Sequence, residues 1–154
     1  MRSALLYVHG FMSSPESAKG RMLKAACEKR GVRFFAPDLN CPPQEALERL
    51  KSIVQEEKAG TLALVGSSLG GFYATSLADA YDLRVCLVNP ATHPWDVVKD
   101  YVGEVLEAPN QKKVTIVPRY ADDLRAMAVT TIKNPEKMLV LLSTADEVLN
   151  WTEA

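Results

Sequence analysis

The stretch Thr61-Leu62-Ala63-Leu64-Val65-Gly66-Ser67-Ser68-Leu69-Gly70-Gly71 leaves this chain few ways to fold. An apolar run of strand length climbs into a tight turn. A helical pattern follows at once, with Phe72, Tyr73, Ala74, Leu77 and Ala78. A strand that feeds a helix without a linker is the unit of α/β folds. Gly66-Ser67-Ser68-Leu69-Gly70 fits G-x-S-x-G, the turn that lifts a serine hydroxyl above a sheet edge. Gly66 and Gly70 flank a residue held in a crowded backbone shape, where any side chain would strike the neighbouring strand or helix. The helix that follows aims its first amides at the place where an oxyanion would form. The plainer reading is a βα turn with a capping serine, or a phosphate cradle at a helix start.

A chain of 154 residues is one domain, residues 1–154, with enough length for a real core. Its net charge of -1 gives no electrostatic case for nucleic acid or an anionic membrane as partner. Apolar runs such as Met138 to Leu142 are too short to span a bilayer, and Met1 to Val8 is too short for a signal peptide. Cys27, Cys41 and Cys86 are odd in number and form no C-x-x-C. That argues against a disulfide framework or a zinc site and suits a reducing cytoplasm. Cys86 reads as a small core residue. No metal and no cofactor is expected.

Ala4 to Val8 reads as a first buried strand, ending in His9-Gly10-Phe11-Met12. Ser13-Ser14-Pro15-Glu16 reads as a capped helix start, with Met22, Leu23, Ala26 and Cys27 as the inner face and Gly31 as the exit. Val32 to Phe35 is a second strand. Ala46, Leu47, Leu50, Ile53 and Val54 keep helical spacing, and Gly60 ends that helix. The third and fourth strands are Leu62 to Val65 and Arg84 to Val88, with a helix to about Tyr81 between them. Residues 92–133 are less regular and read as a lid-like insertion. It carries a β-like run, Val114 to Val117, a helix, Ala121 to Ile132, and the aromatics Trp95, Tyr101 and Tyr120 as candidate pocket walls. The fifth strand is Met138 to Leu142. Right-handed crossovers predict a three-layer α/β/α fold with a parallel sheet in the order 2-1-3-4-5. The loops after the first and third strands then face each other across the crevice where such sheets bind ligands.

A serine at that crevice needs a base, an acid to orient the base, and oxyanion donors. Ser68 is the candidate nucleophile. The Leu69 backbone N–H is one oxyanion donor and the Phe11 N–H the other, with Gly10 giving the loop its freedom and His9 holding it. Asp146, just past the fifth strand, is the candidate acid, with a helix cap as its alternative role. The fold places its histidine after the acid, and no histidine follows Asp146. His9 and His93 precede it, the first reading as a loop support and the second as a surface residue, with general base as the alternative role for either. Met138 to Leu142 is apolar at every position, as in a strand covered on both faces, yet here it stands as an edge. The sequence stops inside what reads as an uncapped helix start, Asn150 to Ala154. These signs predict a form lacking a final strand, helix and histidine loop. They also predict self-association through the uncovered edge.

The residues Leu6-Tyr7-Val8-His9-Gly10-Phe11, Ser13-Ser14-Pro15, Pro37-Asp38-Leu39, Gly66 to Ala74, Val88-Asn89-Pro90-Ala91 and Asp146-Glu147-Val148-Leu149 resemble the small YqiA-like esterases of the α/β-hydrolase superfamily. The likeness spans nearly the whole chain and is weakest over 92–137. It implies a minimal α/β-hydrolase fold, shortened at its C-terminus. It also implies a cytoplasmic serine esterase of short-chain acyl esters or thioesters, with the nucleophile at Ser68 and the acid at Asp146. The family's histidine has no matching position here. Two other readings are a non-catalytic binding domain on a hydrolase fold and a flavodoxin-like phosphate or cofactor binder. The absence of a basic residue at Leu69-Gly70-Gly71 argues against the second.

Overall fold

The structure is a computed structural model that describes residues 2–57, 60–145 and 151–154. The first strand, β1 (Ala4–Val8), pairs in parallel with β2 (Arg33–Phe35) on one side and β3 (Leu62–Ser67) on the other. Next come β4 (Arg84–Val88) and β7 (Met138–Leu141), giving the order β2-β1-β3-β4-β7. This is the expected 2-1-3-4-5 order once a small hairpin inside the insertion is set aside. That antiparallel pair, β5 (Val105–Glu107) and β6 (Lys113–Thr115), forms its own sheet.

Helices join the strands and cover the sheet. α1 (Ala18–Arg30) follows β1, α2 (Pro43–Glu56) follows β2, and α3 (Leu69–Tyr81) follows β3. The glycine spacing shows which helix lies where. A Cβ on Gly66 would meet Ala74 of α3 at 2.7 Å, so the Leu62, Leu64, Gly66 side of β3 faces α3. A Cβ on Gly20 of α1 would meet the Tyr7 ring at 3.1 Å, so α1 lies on the other face. Ala46, Leu50 and Val54 of α2 join the cluster around Leu6, Val8 and Leu64, on the α3 side. The core therefore sits between the sheet and α2 and α3.

Several local expectations change. Ser13-Ser14-Pro15 does not start the helix. It makes two turns, Ser13 N–H to Gly10 O and Ser17 N–H to Ser14 O, while the Ser14 hydroxyl accepts from the Glu16 N–H. α1 begins one turn later, capped by Ser17, whose hydroxyl accepts the Gly20 N–H. Met22 then points to solvent at 64 % exposure, and the buried face is Gly20 and Cys27. α2 stops at Glu56 before Gly60, because Glu57 turns extended and its carboxylate takes both Arg33 guanidinium nitrogens. The helix of the insertion, α5 (Arg119–Ala126), ends well short of Ile132. Val129, Thr130 and Thr131 follow, and a β-branched run resists helix. Cys86 is half-buried on the α1 side rather than packed in the core.

Before β5, Pro94–Val98 forms a short helix, α4, that runs into a tighter turn, Lys99–Tyr101. β7 stands at the sheet's outer edge, with Leu139, Val140 and Leu141 exposed at 56, 42 and 49 %. Trp151–Glu153 forms a single 3-10 turn. No helix among the described residues is long and apolar enough to cross a membrane.

Candidate active site

The turn between β3 and α3 has the strained shape its glycines foretell. Ser68 sits at φ 55°, ψ -120°, a region that L-residues avoid. Its carbonyl accepts the N–H groups of Gly71 and Ala91, both at 2.9 Å, so two backbone bonds hold the turn shut. A Cβ on Gly70 would lie 1.9 Å from the Val8 carbonyl oxygen, so α3 can start here only without a side chain at that position. The Ser68 hydroxyl makes no capping bond, and no hydrogen bond joins it to a histidine among the described residues.

The loop after β1 lies against this serine, as the topology predicts. A Cβ on Gly10 would come within 3.2 Å of Ser68 Cβ and 3.8 Å of Ser68 Oγ. Gly10 thus serves a close approach to Ser68, and its φ lies outside the left-handed region. The left-handed residue of the loop is Met12, at φ 56°. The backbone N–H groups of Phe11 and Leu69 have no hydrogen-bond partner among the described residues.

His9 is 1 % exposed and fixes this loop from below. Its Nε2 accepts the Leu39 N–H at 2.9 Å, so the ring proton sits on Nδ1, which donates to the Gly10 carbonyl at 2.9 Å. Burial lowers its pKa, and the Gly10 bond and the Asp38 carboxylate 4.0 Å away offset this in part. Both ring nitrogens are engaged, so His9 is a neutral strut. His93 lies half-exposed beyond β4. Its Nδ1 is 3.2 Å from the Thr92 hydroxyl and 3.4 Å from a Glu153 carboxylate oxygen.

Asp146 lies outside the described residues, as does Glu147. The chain leading to it is described. β7 runs parallel to β4, Asn89 N–H donates to Leu141 O at 2.9 Å, and Ser143 N–H donates to Asn89 Oδ1 at 2.6 Å. The strand before Asp146 therefore ends at the rim where β3 delivers Ser68.

A narrow pocket opens beside the loop, with room for about 20 Å³, one water-sized group. His9, Gly10, Phe11 and Leu69, from the two loops that flank Ser68, line it together with Cys41, Tyr73, Tyr120 and Leu124, while Ser68 itself does not. Of the aromatics expected as walls, Tyr120 lines it. Tyr101 instead packs in a tilted contact against Phe11 at 5.7 Å, and Trp95 packs edge-on against Phe72 at 6.0 Å. Tyr73 and Cys41 were missed by sequence reasoning. Tyr73 carries one usable signal, its place one turn into the helix that follows the serine. Burial raises the Cys41 thiol and both tyrosine hydroxyls above their ordinary pKa values, so all three stay protonated at neutral pH. No group of side chains suited to a metal ion occurs among the described residues.

Comparison with known proteins gives this geometry a lineage. The UPF0227 protein YcfP of Escherichia coli is 25 % identical over 151 residues, covering 95 % of this chain and 77 % of YcfP. A UPF0227 protein of Pectobacterium carotovorum is 25 % identical over 149 residues, with the same shares covered. Among solved structures, mouse alpha/beta hydrolase domain-containing protein 10 superposes with a TM-score of 0.74 at 16 % identity, covering 97 % of this chain and 72 % of the mouse protein. A structure titled for LipS and LipT, two metagenome-derived lipolytic enzymes, gives 0.73 at 20 % identity, covering 99 % and 76 %. These likenesses make the fold that of the α/β hydrolases. The profile of the Uncharacterised protein family (UPF0227) matches residues 4–154, and the chain belongs to that family.

Proposed function

We propose that this protein is a serine hydrolase of carboxylic esters or thioesters that works through an acyl-enzyme on Ser68. One observation carries the reading: a non-glycine residue held at φ 55° between β3 and α3, with the Gly10 loop pressed against its side chain. Strain of that kind persists where it serves a function.

In this reading Ser68 Oγ attacks the substrate carbonyl, and the alcohol or thiol leaves. Water then releases the acid and restores the serine. The unpartnered N–H groups of Phe11 and Leu69 receive the oxyanion. His9 keeps the Gly10 carbonyl turned away from that hole, which leaves the Phe11 N–H free to point in. The serine's proton needs a base, the role of the family's histidine, for which this sequence has no matching position; Asp146 is the acid that would orient it. His9 is not that base, since its Nε2 already accepts a backbone proton. The insertion between β4 and β7 serves as a lid and as the acyl-pocket wall through Tyr120 and Leu124. The lipolytic neighbours agree with an ester as the substrate. The exposed β7 edge supports self-association as the protein's partner chemistry.

The test is hydrolysis of short-chain p-nitrophenyl esters by the wild type and by Ser68→Ala. Loss of at least about a hundredfold in kcat/KM supports the reading. Equal rates overturn it.

The second reading is a ligand-binding domain without turnover. It is favoured by the lack of any hydrogen bond between Ser68 and a histidine among the described residues. It predicts ligand retention, with no acid released.

A further inference from the structure

The pocket beside Ser68 has a chemistry that a plain alkyl chain would not satisfy. Tyr73 and Tyr120 line it at 2 and 5 % exposure, and neither hydroxyl has a hydrogen-bond partner among the described residues. Buried hydroxyls are nearly always paired. These two are not sealed in protein either. Arg33 Nε is the one fully buried side-chain nitrogen or oxygen without a partner among the described residues, so each phenol oxygen keeps some accessible surface, and both tyrosines line the cavity. Cys41 joins them on the same wall.

The character of the wall narrows the ligand. No carboxylate, lysine or arginine lines the pocket, and its one histidine is held neutral by two backbone bonds. A charged ligand group would therefore be desolvated without a counter-charge. The phenols stay protonated, so each offers a donor and an acceptor. Room for about 20 Å³ admits one small group rather than a chain.

From this juxtaposition of two unpartnered phenols and the oxyanion loop, we infer that the pocket receives a single oxygen, the hydroxyl or oxo group that a short, neutral acyl chain carries beyond its carbonyl, so that a hydroxyacyl or oxoacyl ester is the preferred substrate. The inference rests on Ser68 as the nucleophile, since that role makes this pocket the acyl side. The bonds it adds are those of the phenols to the acyl oxygen. A site built around such bonds discriminates strongly against the analogue that lacks the oxygen.

The test pairs ligands that differ by one hydroxyl. Binding of 3-hydroxybutanamide and butanamide to Ser68→Ala is measured by NMR titration. In parallel, kcat/KM is measured for the p-nitrophenyl esters of 3-hydroxybutanoate and butanoate with the wild type. The hydroxylated member should be favoured by about tenfold or more in both. Tyr73→Phe and Tyr120→Phe should each reduce the preference, and together they should bring it near unity. Phenylalanine keeps the packing, and unchanged thermal unfolding of each variant confirms the fold. Equal binding of the two amides overturns the inference, because it means that one trapped water satisfies the phenols. A preference that survives the double variant overturns it as well. A fluorophosphonate adduct on Ser68 without any ligand preference leaves the hydrolase reading standing and this inference fallen. Preference in binding with no adduct does the reverse, leaving a site for small oxygenated ligands on a fold without turnover.

Discussion

The two faces of the sheet are built to different standards. On the α3 side, Ala4, Leu6, Val8, Leu62, Leu64, Val85 and Leu87 are all buried. On the α1 side, Leu5, Ala63, Val65, Cys86 and Val88 are only half-buried, and at the edge Leu139 and Leu141 are exposed. Tyr7 is the exception, sealed under α1 at 2 % exposure. One face thus has two helices and the insertion packed on it, while the other has a single helix lying over β1 and β2. The lesson is that the candidate site draws its rigidity from the first face. Gly66, Gly70 and Ala74 lock the serine turn to α3 there, and the phenol pocket lies on that side too. Apolar sequence marks incomplete burial on the second face and along the edge strand β7, whose Val140 is exposed on the first face beside Leu87.

Substitutions can break or sharpen this contrast. The largest effect should come from Gly70→Ala, which drives a Cβ onto the Val8 carbonyl. We expect a loss of about 3 kcal/mol or more in urea unfolding. Next, Leu64→Ala on the filled face should lose about 2–5 kcal/mol, while its neighbour Val65→Ala on the open face should lose about 1 kcal/mol or less. Equal losses would erase the difference between the faces.

A third test addresses the rim. Burial lowers the His9 pKa in the folded state below its ordinary value of 6.5. The neutral form is therefore the folded form, and the unfolded chain binds the extra proton. The His9 contribution is fully present above about pH 6.5 and falls as the pH drops towards the folded pKa, by at most about 1.4 kcal/mol per pH unit. Stability curves at several pH values should show this decline, and His9→Gln should flatten it. The smallest effect belongs to Leu139→Lys at the exposed edge. It should shift stability by less than about 0.5 kcal/mol and lower concentration-dependent association in sedimentation velocity.

Much of this was legible in the sequence because it was local. The β3 turn and helix announce themselves in a dozen residues, and right-handed connection rules then order the sheet. The helix start at Ser17 was hidden because Ser14-Pro15 offers the same cap chemistry one turn earlier. The β5–β6 pairing was half hidden, since three residues such as Val105–Glu107 carry too little periodicity to read. The pocket was hidden for a different reason. Tyr73 on α3 and Tyr120 on α5 become one wall only when the insertion folds back over the sheet, and no local pattern records that meeting. His9 was readable as a support, but its tautomer was not, because that depends on the Leu39 amide from a distant loop.

The reactivity of one hydroxyl, that of Ser68, decides whether this fold is a hydrolase. Exposure to a fluorophosphonate probe, followed by peptide mass spectrometry, should place a single phosphonyl adduct on Ser68 and none on Ser67 or on the serines of the Gly10 loop. An adduct spread over surface serines, or a wild-type protein labelled no faster than Ser68→Ala, would contradict it.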